Sequence, residues 1–316
     1  MFVVLVVGVF FTLDDVVRFL RLFRRLPCDI SDELRGWCWG DYPVVPSFGV
    51  RVSVWEVAGG FCSCGRDVYL RRVLGVVGRS SLSLRVGGLV HRVFHEAVRA
   101  AKGLLYRVGE VDGFTFHKMF SGLRAGVLDK FRSEFSDVPV DVLEGVVSSM
   151  WNYAANVYAS ALDRFRSRSA YLSLDGLVSM VVPMVVEYPI DGSLVGLSRA
   201  LRVDALLYPN VLVELKVRGT RPEHEVGLAG YALAFESQYE VPVNYGLLVN
   251  VRFDKDWRSF RAYEKVVLIS DELRMRFIER RDEVMRIVSE GVDPGLSDSC
   301  SPYCPYFHVC REGSGG

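Results

Sequence analysis

The sequence predicts an α/β protein, helical in its first half, built around a sheet from about residue 170 onward, and carrying cysteines at both ends. Three observations lead there. Apolar residues recur at helical spacing through 82–108 and 140–166, with Val142, Val146, Met150, Tyr153, Val157 and Ala161 sharing one face of the second stretch. From 170 to 269 the chain changes to short runs rich in Val, Leu and Tyr. Pro183, Pro189-Ile190-Asp191-Gly192 and Pro209-Asn210 break these runs, as turns break strands. Of the seven cysteines, four lie in the first 64 residues and three in the last 17, and the 235 positions between have none.

The composition fixes the broad class. With 316 residues, 50% of them hydrophobic and 24% charged, the chain has the length and apolar content to bury a core and is neither disordered nor fibrous. Lys+Arg and Asp+Glu both number 38, which argues against a polybasic coat but leaves room for a local basic groove. Arginine supplies 32 of the 38 basic residues. It suits phosphate contacts, but GC-rich codons give the same bias. No apolar run reaches the ~18–20 residues of a membrane span. The longest, residues 1–11, lacks a basic start and a cleavage site and is followed by Asp14-Asp15. It reads as a strand, a helix start or an over-extended start codon. The expectation is a soluble cytoplasmic protein without membrane contact.

Taken in order, residues 13–26 form an amphipathic helix and 27–49 a turn-rich stretch around Trp37-Cys38-Trp39. Helices follow over 82–108 and 140–166. Strands are predicted over 177–188, 197–208 and 211–217, a helix over 223–239, strands over 243–253 and 261–269, and a charged amphipathic helix over 271–289.

Residues 201–216 are the most informative. Pro209-Asn210 marks a turn, and Asp204 and Glu214 lie five residues either side of position 209, so an antiparallel hairpin sets them nearly opposite, with Cβ atoms about 5 Å apart. Strand alternation puts Glu214 and Lys216 on one face and Leu215 on the other. Two carboxylates this close repel unless a cation or proton lies between them. Hard divalent ions such as magnesium or manganese take such oxygen ligands and activate water toward a phosphodiester, and Lys216 would orient that water or steady the phosphate. A surface salt bridge of Lys216 with either acid fits the same pattern. His91, after Gly87-Gly88-Leu89-Val90, and Glu187, before the hairpin, are the His and third carboxylate such a site needs. His91 and His95 stand four apart on one helix face, but Glu96 follows His95 instead of lying between the pair, so the zinc-protease pattern fails.

At the C-terminal end, Cys300, Cys304 and Cys310 fall within eleven residues, among prolines that stiffen the loop. Such a triplet signals a metal site. Cys62 or Cys64 would complete four thiolates for an iron–sulfur cluster or zinc, or His308 a local Cys₃His zinc knuckle. Cys28 and Cys38 read as small hydrophobes.

This assembly, a His after Gly-Gly, then Glu187, then Asp204-x(9)-Glu214-x-Lys216, then a helix with Tyr231, closed by one early and three late cysteines, resembles the CRISPR-associated RecB-like nucleases called "Cas four". Arg35-Gly36-Trp37-Cys38-Trp39, residues 65–71 and residues 229–236 are similar to its archaeal type I-A branch, "Csa one". The resemblance covers nearly the whole chain from about Phe10. It implies a restriction-endonuclease-like (RecB nuclease) core over 85–270, a segment 1–84 contributing to an iron–sulfur lobe, and a C-terminal helix and Cys-rich segment over 271–316. It also implies a 4Fe-4S cluster and metal-dependent cleavage of DNA, mainly single-stranded, by exonuclease or endonuclease action. That cleavage would trim prespacer ends beside the integrase proteins of CRISPR adaptation, in a family where homo-oligomers occur. On this likeness His91, Asp204 and Glu214 are manganese or magnesium ligands, with Glu187 at a less constant acidic position, and Lys216 is the catalytic lysine. Cys300, Cys304 and Cys310 are cluster ligands. Counting back from the Tyr of the Arg-Asp-x-Tyr-Leu element selects Cys62 as the fourth, with Cys64 close behind, and Tyr231 positions DNA. One departure stands out: the family's Gln four residues before that Tyr is Gly227 here, with His224 or Glu225 as stand-ins. A non-catalytic iron–sulfur scaffold that binds DNA is the alternative this departure favours.

Overall fold

The apolar start of the chain forms an edge strand, β1 (Leu5–Val7), antiparallel to a strand near residue 263. The structure, a computed structural model, describes residues 5–59, 61–168, 171–217, 219–297, 300 and 304–311. Thr12 opens α1 (Leu13–Phe23), its backbone N–H and hydroxyl both bonded to Asp15, a reciprocal cap. Turns fill 24–54, a π-type turn covers Trp55–Gly59, and α2 is Arg66–Arg72. The long α3 (Leu82–Val108) starts on a Ser81 hydroxyl that accepts the Leu84 N–H and stops at Gly109, whose φ of +66° suits only glycine well. Three more helices, α4 (Gly113–Gly122), α5 (Arg124–Glu134) and α6 (Val140–Arg168), complete the helical half.

After α7 (Leu174–Val181) come β2 (Met184–Ile190), β3 (Leu201–Leu207), β4 (Val211–Val217), α8 (Pro222–Tyr239), β5 (Tyr245–Phe253), β6 (Phe260–Leu268), α9 (Asp271–Glu290) and α10 (Phe307–Arg311). The six strands lie in the order β1-β6-β5-β4-β3-β2. All neighbours are antiparallel except β4 and β5, which α8 joins as a parallel crossover. The fold is therefore mixed α/β, as predicted. One stretch differs: the strand expected over 177–188 begins with the helix α7, capped by Ser173. A short apolar run fits a buried helix as well as a strand, and here the cap decides.

The sheet divides two cores. Ala205, Val213, Leu215, Leu247 and Val249 pack under α1 and α3–α7. Leu212, Leu248 and Val267 face α8, α9 and the turns around 34–58. This second layer is pinned by a buried ionic knot. Glu236 on α8 and Arg274 on α9, both 0% exposed, bond at 2.7 and 2.9 Å, and Arg35 and the Gly36 N–H reach the same carboxylate at 2.9 Å. The knot gives Arg35-Gly36 and Glu236 a structural role. A third, small cluster joins Leu70 to Tyr306 and Cys310, early chain to late. No helix among the described residues is long and apolar enough to cross a membrane.

Candidate active site

The β3–β4 hairpin pairs Leu207 with Val211, Leu206 with Leu212 and Ala205 with Val213, so the next step sets Asp204 toward Glu214 as the spacing predicts. There the ladder stops. Instead of a backbone partner, the Leu215 N–H meets the Asp204 side chain, Oδ2, at 2.7 Å. The alternation of β3 also shifts: Leu201 and Val203 pack on the α8 side, Ala205 and Leu207 on the α3 side. On β2, Glu187 stands at this break with φ +49°, left-handed backbone that a non-glycine residue adopts at a cost.

The α3 helix brings its histidines to Asp204. His91 Nδ1 is 2.8 Å from Asp204 Oδ1 and His95 Nε2 is 3.7 Å from the same oxygen. Among the described residues these three make the one His/Cys/Asp/Glu group whose ligand atoms all lie within 4.8 Å of one another. His95 is buried with both ring nitrogens unpartnered, and Glu214 Oε2 is a buried orphan as well. Buried polar atoms are normally satisfied, so orphans gathered beside a carboxylate describe a site shaped for a cation. Glu214 Oε1 accepts from Lys216 Nζ at 2.6 Å. Glu187 reaches His95 at 3.8 Å, but Arg99 bonds its carboxylate and Arg202 approaches it at 3.7 Å.

The electrostatics follow from crowding. Burial opposes charge on His91, but the Asp204 charge and hydrogen bond outweigh it and raise its pKa. Burial likewise opposes the Asp204 anion, yet His91 and the Leu215 N–H hold its carboxyl below the usual range. Burial and the Asp204 charge push Glu214 upward, with Lys216 pulling the other way. Burial would strip the proton from Lys216, but the Glu214 carboxylate raises its pKa and keeps an ammonium at the site. Tyr231, on α8, is raised well above its ordinary value by burial and by the charges of Glu214 and Asp204.

The cysteines assemble separately. Cys62, Cys300, Cys304 and Cys310 line one cavity with Phe61, Asp67, Tyr306 and Phe307. Cys64 and His308 are not among the residues lining it; Cys64 Sγ is 3.1 Å from Cys62 Sγ and donates to the Gly295 carbonyl at 3.3 Å. Burial pushes Cys64 to about 11 and also raises Cys304 and Cys310.

The model of the family "CRISPR-associated exonuclease Csa1" matches residues 9–313. The chain belongs to this family. It is 37% identical over 304 residues to the CRISPR-associated exonuclease Csa1 of Saccharolobus solfataricus, covering 96% of this chain and 99% of that one. It is 30% identical over 303 residues to the protein so named from Thermoproteus tenax, covering 95% and 99%. No solved structure matches it.

Within this Csa1-family chain, two residues, His95 as a ligand and Asn250, escaped the reading of the sequence. His95 completes the cation-sized group; its i, i+4 spacing from His91 was the available signal. Asn250 lies in register beside Lys216 across the parallel β4–β5 pair, buried, with its Oδ1 unpartnered. His224 accepts the Arg221 N–H at 3.0 Å, and burial, Lys216 and Arg221 lower its pKa to about 3. Of the two stand-ins for the missing Gln, Glu225 is bonded by Lys265, whereas His224 is the one that feels Lys216. Position 227 itself points at Ala58 and Val54, where a Cβ would meet ordinary contacts at 3.5 and 3.7 Å.

Proposed function

We propose that this chain is a metal-dependent deoxyribonuclease of CRISPR adaptation with a RecB-like core, trimming prespacer DNA ends beside the integrase proteins. The observation that carries the nuclease reading is the convergence of His91, His95, Asp204, Glu214 and Lys216 at the frayed end of one hairpin, with orphaned donor atoms among them. The relatives' name, exonuclease, points the same way.

His91, His95, Asp204 and Glu214 would hold a divalent ion, manganese or magnesium, which when bound lowers the pKa of water and polarises the phosphate. Two imidazole nitrogens in the donor set favour manganese, because nitrogen ligands suit later divalent ions better than magnesium. The chain's own residues do the rest. His91 and the Leu215 N–H fix the Asp204 carboxylate in its ionised form. Glu214 keeps the Lys216 ammonium charged, so that it offers a positive donor to the phosphate oxygens as charge builds there. Tyr231, which feels the charge of both acids, would orient the strand.

The four thiols that share a cavity would hold a 4Fe-4S cluster. They come from an early and a late stretch of the chain and surround one cavity, as four thiolate ligands of a cluster must.

The test is cleavage of end-labelled single-stranded DNA by anaerobically purified protein with manganese or magnesium, beside Asp204→Ala. Cutting by the wild type alone assigns the hairpin as the active site, and the labelled end reports polarity. DNA bound by both and cut by neither supports the second reading, a non-catalytic scaffold, which the glycine at 227 in place of the family's Gln favours.

A further inference from the structure

A second concave site lies on the surface, walled by residues 51–53, the turn before β3 and the end of α2. Val52 bridges this turn, accepting the Ser198 N–H at 2.9 Å and donating to the Gly196 carbonyl at 3.2 Å. The cavity, of about 540 Å³, is lined by Arg51, Arg71, Arg72, Arg199, Ser53 and Glu56 among others. Four arginines against one acid give the wall a formal charge of +3 on a molecule whose net charge is zero.

The arginines are of two kinds. Arg71 and Arg72 are fixed: both bond the buried Glu56 carboxylate, Arg72 also donates to the Arg51 carbonyl at 3.0 Å, and Arg71 stacks 5.0 Å over the Trp55 ring. Arg71 Nε is buried and without an acceptor. Arg51 and Arg199 stand exposed at the rim, and no hydrogen bond from either guanidinium occurs among the described residues. Asp191, close enough to feel both, already accepts the Ser193 N–H at 2.8 Å. A preorganised pair of guanidinium groups, two free ones and an unused donor constitute a receptor for a multiply bonding anion.

The position of this receptor says which anion. Arg199 precedes Asp204 by five residues, at most about 16 Å of chain because a turn at 199–200 leads into β3, and exposed Arg202 lies between them, toward Glu187. That is the length of a few nucleotides. We propose that this pocket binds a backbone phosphate of the same nucleic-acid strand a few nucleotides from the bond that is cut, an anchor that sets how far an end reaches into the active site. The proposal rests on the nuclease reading.

The test is binding of labelled single-stranded DNA of about four and about twelve nucleotides, in EDTA so that nothing is cut, across a salt series. Wild type is compared with Arg51→Ser/Arg199→Ser and with the charge-keeping Arg51→Lys/Arg199→Lys. Both pairs are exposed, and equal thermal midpoints verify the fold. The serine pair is expected to bind the longer strand about tenfold more weakly, with the salt slope shallower by about 0.7, the lysine pair to keep most of the affinity, and the short strand to show little difference. Equal affinity and slope for wild type and serine pair overturn the pocket, and so does a loss equal for both lengths. If the wild type cuts DNA in either case, the nuclease reading survives that failure. A wild type that binds no DNA at all overturns both.

Discussion

Asp204 is the residue on which the site turns, because the Leu215 N–H and His91 both hold its carboxylate and so fix it at the end of the ladder. Lys216 is the complementary group: its charge, kept by Glu214, acts only where negative charge develops. Lys216→Ala should therefore lower the DNA cleavage rate by 10²-fold or more while leaving DNA affinity in EDTA within a few-fold, a split read by parallel cleavage and binding assays. His95 separates the metals. His95→Ala should weaken support by manganese more than by magnesium, and a metal titration of cleavage in which both fall equally would contradict its part as a nitrogen donor. The hairpin acids and Lys216 were legible in the sequence because a turn and strand alternation suffice to align them. His95 was not, because i, i+4 spacing defines a face and not what covers it, and nothing local announced the φ of +49° at Glu187. Another buried acid reports on the fold instead. Burial raises Glu264 to about 7 against the pull of Arg18, which bonds it at 3.0 Å. A carboxyl with a raised folded pKa binds protons that the unfolded chain has lost, so stability should fall as pH rises from about 4.5 to about 7. Thermal midpoints across that window should flatten in Glu264→Gln.

At the scale of elements, α8 is held from both sides. Its Tyr231 feels the charge of the acids and its N-terminal turn that of Lys216, and its Glu236 ties it to α9 and to the turn at 35–36. Removing one partner of a buried ion pair leaves a charge without compensation. Arg274→Met should cost about 3–5 kcal/mol in denaturant unfolding, even though Arg35 still touches Glu236, and Arg274→Met/Glu236→Leu should recover much of it. Elements with caps and long periods, such as α1, α3, α6 and α9, were readable to within a few residues. The helix α7 was mistaken for strand because eight apolar-rich residues carry no decisive period, and the ionic knot was unreadable because Arg274 lies 38 residues and Arg35 201 residues from Glu236.

At the scale of the whole molecule, an early and a late stretch of the chain meet. Leu70 packs with Tyr306 and Cys310, Arg66 bonds Asp293 at 2.9 Å, Ser63 meets Ser297 at 3.0 Å, and Cys62 shares a cavity with the three late cysteines. A cluster bound by Cys62 and the late triplet would close a loop of more than 230 residues. On a chain-entropy estimate such closure is worth about 5 kcal/mol, far more than the surface contacts beside it. Cys62→Ser should therefore lower the thermal midpoint by about 10 °C and reduce bound iron, with Cys304→Ser doing the same. Cys64→Ser should do neither, because its thiol lies outside the cavity and points to the Gly295 carbonyl, and His308→Ala should be equally silent. Iron content and melting measured on the four variants decide the ligand set. A protein that loses its iron with Cys64→Ser and keeps it with Cys62→Ser would move the fourth ligand two residues along. One that holds zinc and loses it with His308→Ala would turn the clamp into a local knuckle, leaving the two stretches joined only by the weaker contacts.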